Sequence, residues 1–307
     1  MTCVIDFLNV GFGEATIIQY TYGDRSFCLV VDGGDVHATA SANSRRCSLA
    51  QYIQEHHIEK IDVLVITHFH RDHIGGVYDI LGHVPIGKIK IHLMLPEFIL
   101  ESGVLNDSTP MLASLSLYIQ ILNRAKELNI PIDRIEEPAA FYEQELTYKL
   151  LMPDRSKLEQ LKLQLNDLDM SCLEEQLEPL NQIDRMLNST AMAVLISYKG
   201  ESIALITSDV ALDFWEPYRE EIENIAVVQA PHHGDRHQIS GEWLSSINPQ
   251  AVIVSADDEG TYQLPHKEIE AMIAEHSKAK LYYTEAAATT HRILRVDAEQ
   301  CRVEFIQ

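Results

Sequence analysis

The sequence contains no apolar run that approaches the ~18 residues needed to span a membrane. Its amino terminus, MTCVIDFLNVGFG, lacks the basic region and the long apolar core of a signal peptide. We therefore expect a soluble, cytoplasmic protein that does not contact a membrane.

Cysteine is also scarce. There are five cysteines, an odd number, and none of them forms a C-x-x-C pair. This pattern indicates neither a disulfide-stapled scaffold nor a zinc site made of cysteine thiolates. We expect all five thiols to be reduced and structural.

Basic residues are few: the sequence has 24 Lys and Arg but 46 Asp and Glu, which gives a net charge of −22. Such a surface repels phosphate backbones, which weighs against nucleic-acid binding over the whole protein. Linkers rich in Pro, Gly or Ser, internal repeats and low-complexity tracts are absent as well. The simplest organisation is a single domain over residues 1–307, and 46% hydrophobic content is enough to fill its core.

The most informative stretch is IDVLVITHFHRDHIGG, residues 61–76. Its Val- and Ile-rich run ends at Thr67, which is typical of a buried strand with polar residues in the loop beyond it. Imidazole nitrogens and carboxylate oxygens suit zinc, manganese or iron, so the stretch predicts a metal site; a histidine-rich surface loop is the alternative. The candidate ligands fall within six positions and are His68, His70, Asp72 and His73.

The spacing of these four residues indicates two ions. Alternate residues of an extended chain point to one side, so we expect His68 and His70 to bind one ion. Asp72 and His73 come after the turn and are expected to face a second ion, where Asp72 could also orient the attacking water. The glycines at 75 and 76 are expected to let the backbone turn sharply into a helix that continues from residue 77.

THFHRDHIGG resembles the HxHxDH signature of the metallo-β-lactamase superfamily. FLNVGFGEATIIQY, followed by LVVDGG, resembles the opening of the ComEC-type hydrolase domains associated with DNA uptake proteins. The resemblance implies an α/β protein, a four-layer αββα sandwich with the metal site at one edge of its paired sheets. Asp32 in DGG is a candidate for a residue close to the metals, and a turn-forming role is the alternative.

The same resemblance implies ligands in the second half of the chain. In NSTAMAVLISYKGESIALITSD the strand-ending Asp209 matches an aspartate that bridges two metals in the family, and a helix cap is the alternative role. The HHG element at 232–234 matches the family's last histidine ligand, and we assign His232 to the second metal with Asp72 and His73. His233 is then expected to shuttle protons or contact substrate, and His266 is a candidate substrate contact or general acid.

One family ligand is missing. Many members have a further histidine between the first motif and the bridging aspartate, but residues 74–208 contain only His83 and His92, both too early. The first metal is therefore expected to bind His68, His70 and Asp209 alone. Two divalent ions, zinc or manganese, are expected, and occupancy by one ion is the alternative.

Residues 154–187 stand apart as an acidic helical insertion. Leucine and isoleucine recur there at steps of three and four residues, which predicts two amphipathic helices broken near Ser171. We expect both helices to pack on their own domain. A docking surface for a protein partner is the alternative.

Short β-rich runs near both ends of the chain and a hairpin before Asp209 complete the expected fold. The first forty residues predict three strands, and Lys199-Gly200 predicts the turn of a hairpin that ends near Asp209. Residues 280–283 and 292–296 predict a closing hairpin.

The expected substrate follows from local charge. Basic residues adjoin the metal motifs in a chain that is otherwise acidic, and a positive mouth would concentrate an anionic substrate. We therefore predict a metal-dependent phosphodiesterase or nuclease that uses a metal-activated water on DNA or a nucleotide. Hydrolysis of a small ester, lactone or thioester is one alternative, and an effector subunit docked through the acidic helices is another. The expected substrate-binding residues are Arg71, Arg236, His237, Lys267 and Arg292.

Overall fold

The structure, a computed structural model, describes residues 1–35, 45–103, 105, 107–286 and 291–307. The strands assigned within these residues are β1 (Thr2–Leu8), β2 (Thr16–Tyr22), β3 (Arg25–Val31), β4 (Val63–Val65), β5 (Ile89–Ile91), β6 (Ile132–Arg134), β7 (Ala139–Glu143), β8 (Leu146–Leu151), β9 (Ala193–Tyr198), β10 (Glu201–Ile206), β11 (Val227–Gln229), β12 (Ala251–Val254), β13 (Lys280–Tyr283), β14 (Ile293–Asp297) and β15 (Arg302–Ile306).

The α-helices assigned in the same residues are α1 (Leu49–Glu55), α2 (Arg71–Ile80), α3 (Glu97–Leu100), α4 (Pro110–Glu127), α5 (Arg155–Asn166), α6 (Leu177–Ser189), α7 (Gly241–Ile247) and α8 (Glu268–His276). Short 3-10 helices connect some of these elements, at Leu173–Glu175, Leu212–Tyr218, Pro231–Gly234 and Thr261–Gln263.

The described strands form two sheets. One has eight strands in the order β15-β14-β1-β2-β3-β4-β5-β6, and the other has seven in the order β13-β12-β11-β10-β9-β8-β7. Strands β3 to β6 run parallel, as do β10 to β13, while the outer hairpins are antiparallel. Loops that follow parallel neighbours leave a sheet at the same edge, which is where ligands bind in such sheets.

Alternating apolar residues on the strands separate three hydrophobic layers. Ile17 packs under the helices that cover the eight-stranded sheet, whereas the next residue, Ile18, packs between the two sheets. On the seven-stranded sheet Val194 faces the same central layer and Leu195 faces α7 and α8. Because successive side chains of a strand point to opposite faces, this pattern produces helix, sheet, sheet and helix layers. The predicted αββα sandwich is confirmed.

Helices α5 and α6 contribute to the hydrophobic layer on the outer side of the eight-stranded sheet. Their buried residues recur at helical spacing, as the sequence predicts for amphipathic helices. The break between them contains the 3-10 helix at Leu173–Glu175, close to the predicted position near Ser171, and Gln176 directly precedes α6. The residues they bury in this core include Leu158, Leu161, Leu165, Leu180, Ile183 and Leu187.

The predicted closing hairpin is wrong. Strand β13 pairs in parallel with β12 in the seven-stranded sheet, whereas β14 lies between β1 and β15 in the other sheet. Consecutive strands are neighbours in roughly two-thirds of cases, and the local pattern of apolar residues does not reveal the exceptions. The partner of β14 that follows it in the chain is β15, which the sequence reading missed.

Within the described residues, no helix combines the length and the apolar character required to cross a membrane.

Candidate metal centre

The first motif lies on a strand, a short loop and a helix. Strand β4 ends at Val65, His70 directly precedes α2, and Asp72 and His73 lie in the first turn of that helix. The helix therefore begins at Arg71, earlier than the glycines led us to expect.

The second glycine of the motif has a packing role instead. A Cβ at Gly76 would lie 2.1 Å from the carbonyl oxygen of Gly33, so any larger residue would push α2 away from the DGG loop. The backbone of that loop also contacts the helix, because the Gly33 amide donates to the carbonyl of His73. This close approach brings Asp32 next to His73, where its Oδ2 accepts a hydrogen bond from Nδ1 at 2.9 Å.

Asp209 follows β10 and lies at the middle of the cluster. Its Oδ1 is 3.3 Å from Nε2 of His73 and 3.5 Å from Nε2 of His233. Its Oδ2 is 3.8 Å from Nε2 of His68 and 3.7 Å from Nε2 of His232. The two oxygens of one buried carboxylate thus face two different groups of histidines.

Ligand atoms gather in two sets around this carboxylate. In each set, one ligand atom from every residue lies within 4.8 Å of those of the others. We refer to them as the Asp72 set, which contains Asp72, His73, Asp209 and His233, and the His68 set, which contains His68, His70 and Asp209.

The donor atoms of both sets fit divalent metal ions. Among the described residues, His73 Nε2 and Asp209 Oδ1 are buried without a hydrogen-bond partner, although such atoms are normally paired. Nitrogen and carboxylate donors are the usual ligands of zinc, and they also suit manganese and iron. The arrangement could therefore hold one ion on each side of Asp209.

The outward nitrogens of the histidines are held by oxygen acceptors. His73 Nδ1 donates to Asp32 and His233 Nδ1 donates to the carbonyl of Ser255 at 2.8 Å. His68 Nδ1 lies 3.2 Å from the hydroxyl of Thr67. Such contacts orient the ring and leave the other nitrogen free for a metal, as is usual around metal-binding histidines.

The electrostatics of the metal-free centre are dominated by opposite charges in close contact. Burial alone would raise the pKa of Asp209, but the charges of His73, His233 and His232 hold it well below its usual value. Burial alone would lower the pKa of His233, yet Asp209 and Asp72 raise it to about 9. Protons on the histidines therefore balance the carboxylates, and bound metal ions would replace those protons.

The sequence-based assignment of the histidine pair differs from the geometry. The structure brings His233 into the Asp72 set, where its Nε2 lies 3.1 Å from Oδ2 of Asp72. It places His232 on the opposite side of Asp209, with Nε2 3.1 Å from the amide nitrogen of Asn188. Both histidines have positive φ angles, which turn their side chains to different sides.

Several residues at the centre have a strained backbone. Non-glycine residues with φ near +50° are uncommon and cost about 1–3 kcal/mol each, so they persist where surrounding contacts enforce them. Of the thirteen such residues in the described part of the chain, five lie in or beside the two sets, namely Asp32, Ser208, His232, His233 and Tyr262.

Helix α6 contributes two residues that the sequence reading missed. Asp184 Oδ1 lies 3.2 Å from Nε2 of His70, and Asn188 contacts His232 one turn later. Residues four apart share one face of a helix, but nothing in the sequence showed that this face meets the metal motif.

Glu14 is a further missed residue, and it lies behind the Asp72 set. Both of its carboxylate oxygens are buried without hydrogen bonds to described residues, and burial raises its pKa to about 8. Oε1 is 3.9 Å from His233 Nδ1, and the carboxylate groups with Asp32 and His73 as a third cluster of ligand atoms.

The predicted basic residues are largely paired with acids. Arg71 forms an ion pair with Asp35 at 3.3 Å, and Arg236 forms one with Glu268. Arg292 pairs with Glu55 at 2.8 Å, at the carboxyl end of α1.

The predicted residues 236, 237, 266 and 267 lie close together near the amino terminus of α8. His266 Nδ1 accepts a hydrogen bond from the Arg236 amide and lies 3.2 Å from Asp235, while Lys267 directly precedes the helix. His237 contacts both Arg236 and the ring of His266.

An aromatic pair borders the Asp72 set. The ring of Phe12 lies 4.4 Å from that of His233 and makes an edge contact with Tyr262 at 5.3 Å. Tyr262 has 74% of its surface exposed. Partial burial and then the negative charge of Asp72 raise the pKa of Tyr262, so this side chain lies within electrostatic reach of the Asp72 set.

Comparison with known proteins finds one matching family model and two similar proteins. A family model described as the metallo-beta-lactamase superfamily matches residues 8–150. ComE operon protein 3 of Bacillus subtilis is 19% identical over 283 residues, which cover 89% of this chain and 31% of that protein. Thioesterase pkgB of Emericella nidulans is 33% identical over 86 residues, which cover 27% of this chain and 24% of that protein. The chain thus spans less than a third of either relative.

Among solved structures, Igni18, a metallo hydrolase from Ignicoccus hospitalis, is 14% identical with a TM-score of 0.48 and covers 95% of this chain and 98% of its own. The family model covers the first motif, and the two-sheet sandwich carries the candidate ligand sets described above. The chain therefore has the αββα sandwich fold, its residues 8–150 match the metallo-β-lactamase superfamily model, and ComE operon protein 3 is among the proteins that it resembles.

Proposed function

We propose that the protein is a metal-dependent phosphodiesterase that acts on a nucleotide-containing substrate. The observation that carries this proposal is the position of Asp209, whose two oxygens face the Asp72 set and the His68 set separately. A carboxylate shared by two ligand sets is the arrangement required for a pair of ions that act on one displacement. Zinc and manganese are the ions that best fit these donors.

When bound, such ions lower the pKa of a shared water and stabilise the charge on the attacking and leaving oxygens. The residues of this chain supply the rest. The side chain of Asp72 is partly buried beside His233. It would orient the attacking water as well as bind metal. His266 is partly exposed beside Asp235 and would donate a proton to the leaving oxygen.

The substrate class is argued from the entrance of the site. Phe12 and Tyr262 offer an exposed aromatic surface next to His233, and a nucleobase can stack on such a surface. Arg71 follows the first two histidines of the motif and would neutralise a phosphate, although it must share its charge with Asp35. The aromatic surface therefore supports a nucleotide more strongly than the basic residues do.

We further propose that the helices of residues 154–187 belong to the catalytic domain of a single 1–307 unit. Their apolar faces fill the core beneath α4, and α6 reaches His70 and His232. This leaves their polar faces to solvent and supports a role in the site more than docking of a partner protein.

Activity assays test the proposal directly. The purified chain, loaded with Zn²⁺ or Mn²⁺, is expected to hydrolyse bis(p-nitrophenyl) phosphate and either single-stranded DNA or a cyclic dinucleotide. Replacement Asp72→Ala is expected to lower turnover by at least about a hundredfold, since even residues that only support metal ligands cost 10–100-fold. Absence of phosphodiester turnover with both ions would reject the proposal.

Hydrolysis of a small ester or thioester is a second candidate. The similarity of 86 residues to a thioesterase favours it, as does the pairing of Arg71 and Arg236 with acids. Cleavage of an acyl thioester or a lactone by the metal-loaded chain, together with inactivity on every phosphodiester, would support this candidate instead.

A further inference from the structure

We propose that His232 replaces the histidine that the chain lacks between the first motif and Asp209, and that it completes the His68 set. The two adjacent histidines of the HHG element would then serve different ions, His232 with the His68 set and His233 with the Asp72 set. This inference rests on the two-ion centre of the proposed function.

The sides of the bridging carboxylate separate the two histidines. His232 Nε2 is 3.7 Å from Oδ2 of Asp209, the same oxygen that His68 Nε2 approaches to 3.8 Å. His233 Nε2 is instead 3.5 Å from Oδ1, the oxygen that faces His73. Each carboxylate oxygen thus has its own pair of imidazole nitrogens.

The backbone of the HHG element explains how neighbouring residues reach opposite sides. His232 and His233 have φ angles of +50° and +55°, and their ring centroids are 6.0 Å apart. The amide of His232 donates to the carbonyl of Ser208 at 3.0 Å, which ties this turn to the residue before Asp209. Two consecutive left-handed residues are costly, so their presence indicates that both side-chain directions are required.

The ring of His232 is oriented like the other histidines of the centre. Its Nδ1 lies 3.4 Å from Oδ2 of Asp235, which leaves Nε2 on the side of Asp209. His73 has a similar arrangement, with Nε2 towards Asp209, but its Nδ1 forms a hydrogen bond with Asp32 whereas Nδ1 of His232 forms none with the described residues. A carboxylate at the outer nitrogen is the usual support of a metal-binding histidine.

Asn188 occupies the free nitrogen of His232 in the structure. Its side-chain amide lies 3.1 Å from Nε2, and the histidine ring keeps 25% of its side-chain surface exposed. His232 Nε2 is not among the atoms of the His68 set that lie within 4.8 Å of one another. Coordination therefore requires a small movement of the ring that exchanges the contact with Asn188 for a metal ion.

Metal binding by variants tests the inference without reference to activity. Wild-type protein, His232→Ala and His233→Ala would be equilibrated with Zn²⁺ and with Mn²⁺, and bound ions would be counted by mass spectrometry and located by anomalous diffraction. We expect two ions in the wild type. His232→Ala should lose occupancy, or at least tenfold in affinity, at the ion beside His68, whereas His233→Ala should do so at the ion beside Asp72.

Two controls keep the result interpretable. His83→Ala changes an exposed histidine outside the centre and should bind both ions normally. His232→Gln retains most of the side-chain volume, so it should fold if His232→Ala does not, and it should weaken the same ion. Circular dichroism and thermal unfolding would establish that each variant is folded.

The inference is overturned if His232→Ala and His232→Gln bind both ions with wild-type affinity, if both histidine variants weaken the same ion, or if the wild type binds fewer than two ions. Failure of the proposed function is a separate result. If the variants show the expected pattern of ion binding but the chain cleaves no phosphodiester, the assignment of His232 stands and only the proposed substrate class is rejected.

Discussion

Nε2 of His70 lies 3.2 Å from Oδ1 of Asp184, so a helix far along the chain contacts the first metal motif. The other ring nitrogen of His70, Nδ1, lies 3.1 Å from Nε2 of His68. A carboxylate at Nε2 favours a proton there and leaves Nδ1 with a free lone pair towards the His68 set. Asp184 therefore acts on the centre through His70, as a positioning residue.

We predict that Asp184→Asn lowers the affinity of the ion beside His68 by about 10–100-fold, the usual effect of removing such a carboxylate. Competition with a chromophoric chelator measures the affinity of each ion. Glu178→Gln is the matched control, because it removes an exposed carboxylate from the same helix that pairs with Arg185. If Asp184→Asn binds the ion beside His68 as tightly as Glu178→Gln does, Asp184 does not support His70.

The sequence was sufficient for the parts of the centre that follow strands. Thr67 to His73 come directly after the apolar run of β4, and Asp209 follows the second strand of the predicted hairpin β9–β10. Apolar runs that end in metal-ligand residues can be recognised locally, because the strand and its ligands are contiguous in the chain. The four layers could be predicted for the same reason, together with the resemblance to a known fold.

The parts that could not be predicted depend on distant contacts or on unusual backbone angles. Asp184 lies within the predicted helical insertion and Asn188 just beyond it, and only the packing of α6 brings these two residues to His70 and His232. The order of His232 and His233 around Asp209 depends on two positive φ angles, and no local rule assigns such angles to histidine. The residues of the site that do not follow a strand are therefore brought together by tertiary contacts that the local sequence does not reveal.

Asp209→Asn is predicted to affect both ions at once, unlike changes in either histidine set. An amide keeps the shape of the carboxylate but removes the charge that both sets share, so neither ion should bind at wild-type strength. Metal content after dialysis and the rise in melting temperature on adding Zn²⁺ measure the effect. Binding at a thousandfold excess over the dissociation constant stabilises a protein by about 4 kcal/mol, and this gain should disappear in the variant.

The control for this experiment is Asp154→Asn, because Asp154 only caps α5 at the protein surface. Its variant should show a normal rise in melting temperature with Zn²⁺, even if its metal-free stability is slightly lower. Retention of either ion by Asp209→Asn at wild-type affinity would contradict the bridging role.

We predict that His92 makes the free energy of unfolding depend on pH, independently of the metal centre. Burial lowers the pKa of His92 from 6.5 to about 4, so the unfolded chain binds a proton there more readily than the folded protein. The stabilising effect is fully present above about pH 6.5 and is lost as the pH falls towards 4. The loss should reach about 3 kcal/mol, since one pKa unit corresponds to 1.36 kcal/mol.

Urea unfolding of the metal-free protein between pH 7 and pH 4.5 measures this loss. His92→Gln has no ionisable group at the same position, so its unfolding free energy should decline less steeply over this range than that of the wild type. His83→Ala, in an exposed position, should follow the wild-type slope. Parallel curves for wild type and His92→Gln would exclude His92 as the source.

Tyr262 is predicted to determine the preference for a nucleotide over a smaller phosphodiester. Stacking of a base on an aromatic side chain contributes about 1–3 kcal/mol, so Tyr262→Ala should lower kcat/KM for thymidine 5′-(p-nitrophenyl phosphate) by about 5- to 150-fold. Methyl p-nitrophenyl phosphate has the same leaving group and no base, and its hydrolysis should change little. The release of p-nitrophenolate measures both reactions on one scale.

Two variants identify the part of the side chain that matters. Tyr262→Phe keeps the ring beside Phe12 and should retain most of the preference, because stacking does not require the hydroxyl. Tyr142→Ala removes an equally exposed tyrosine from β7 and should leave both rates unchanged. If Tyr262→Ala slows both substrates equally, the residue supports the catalytic centre through Phe12 and His233 and does not select the nucleotide.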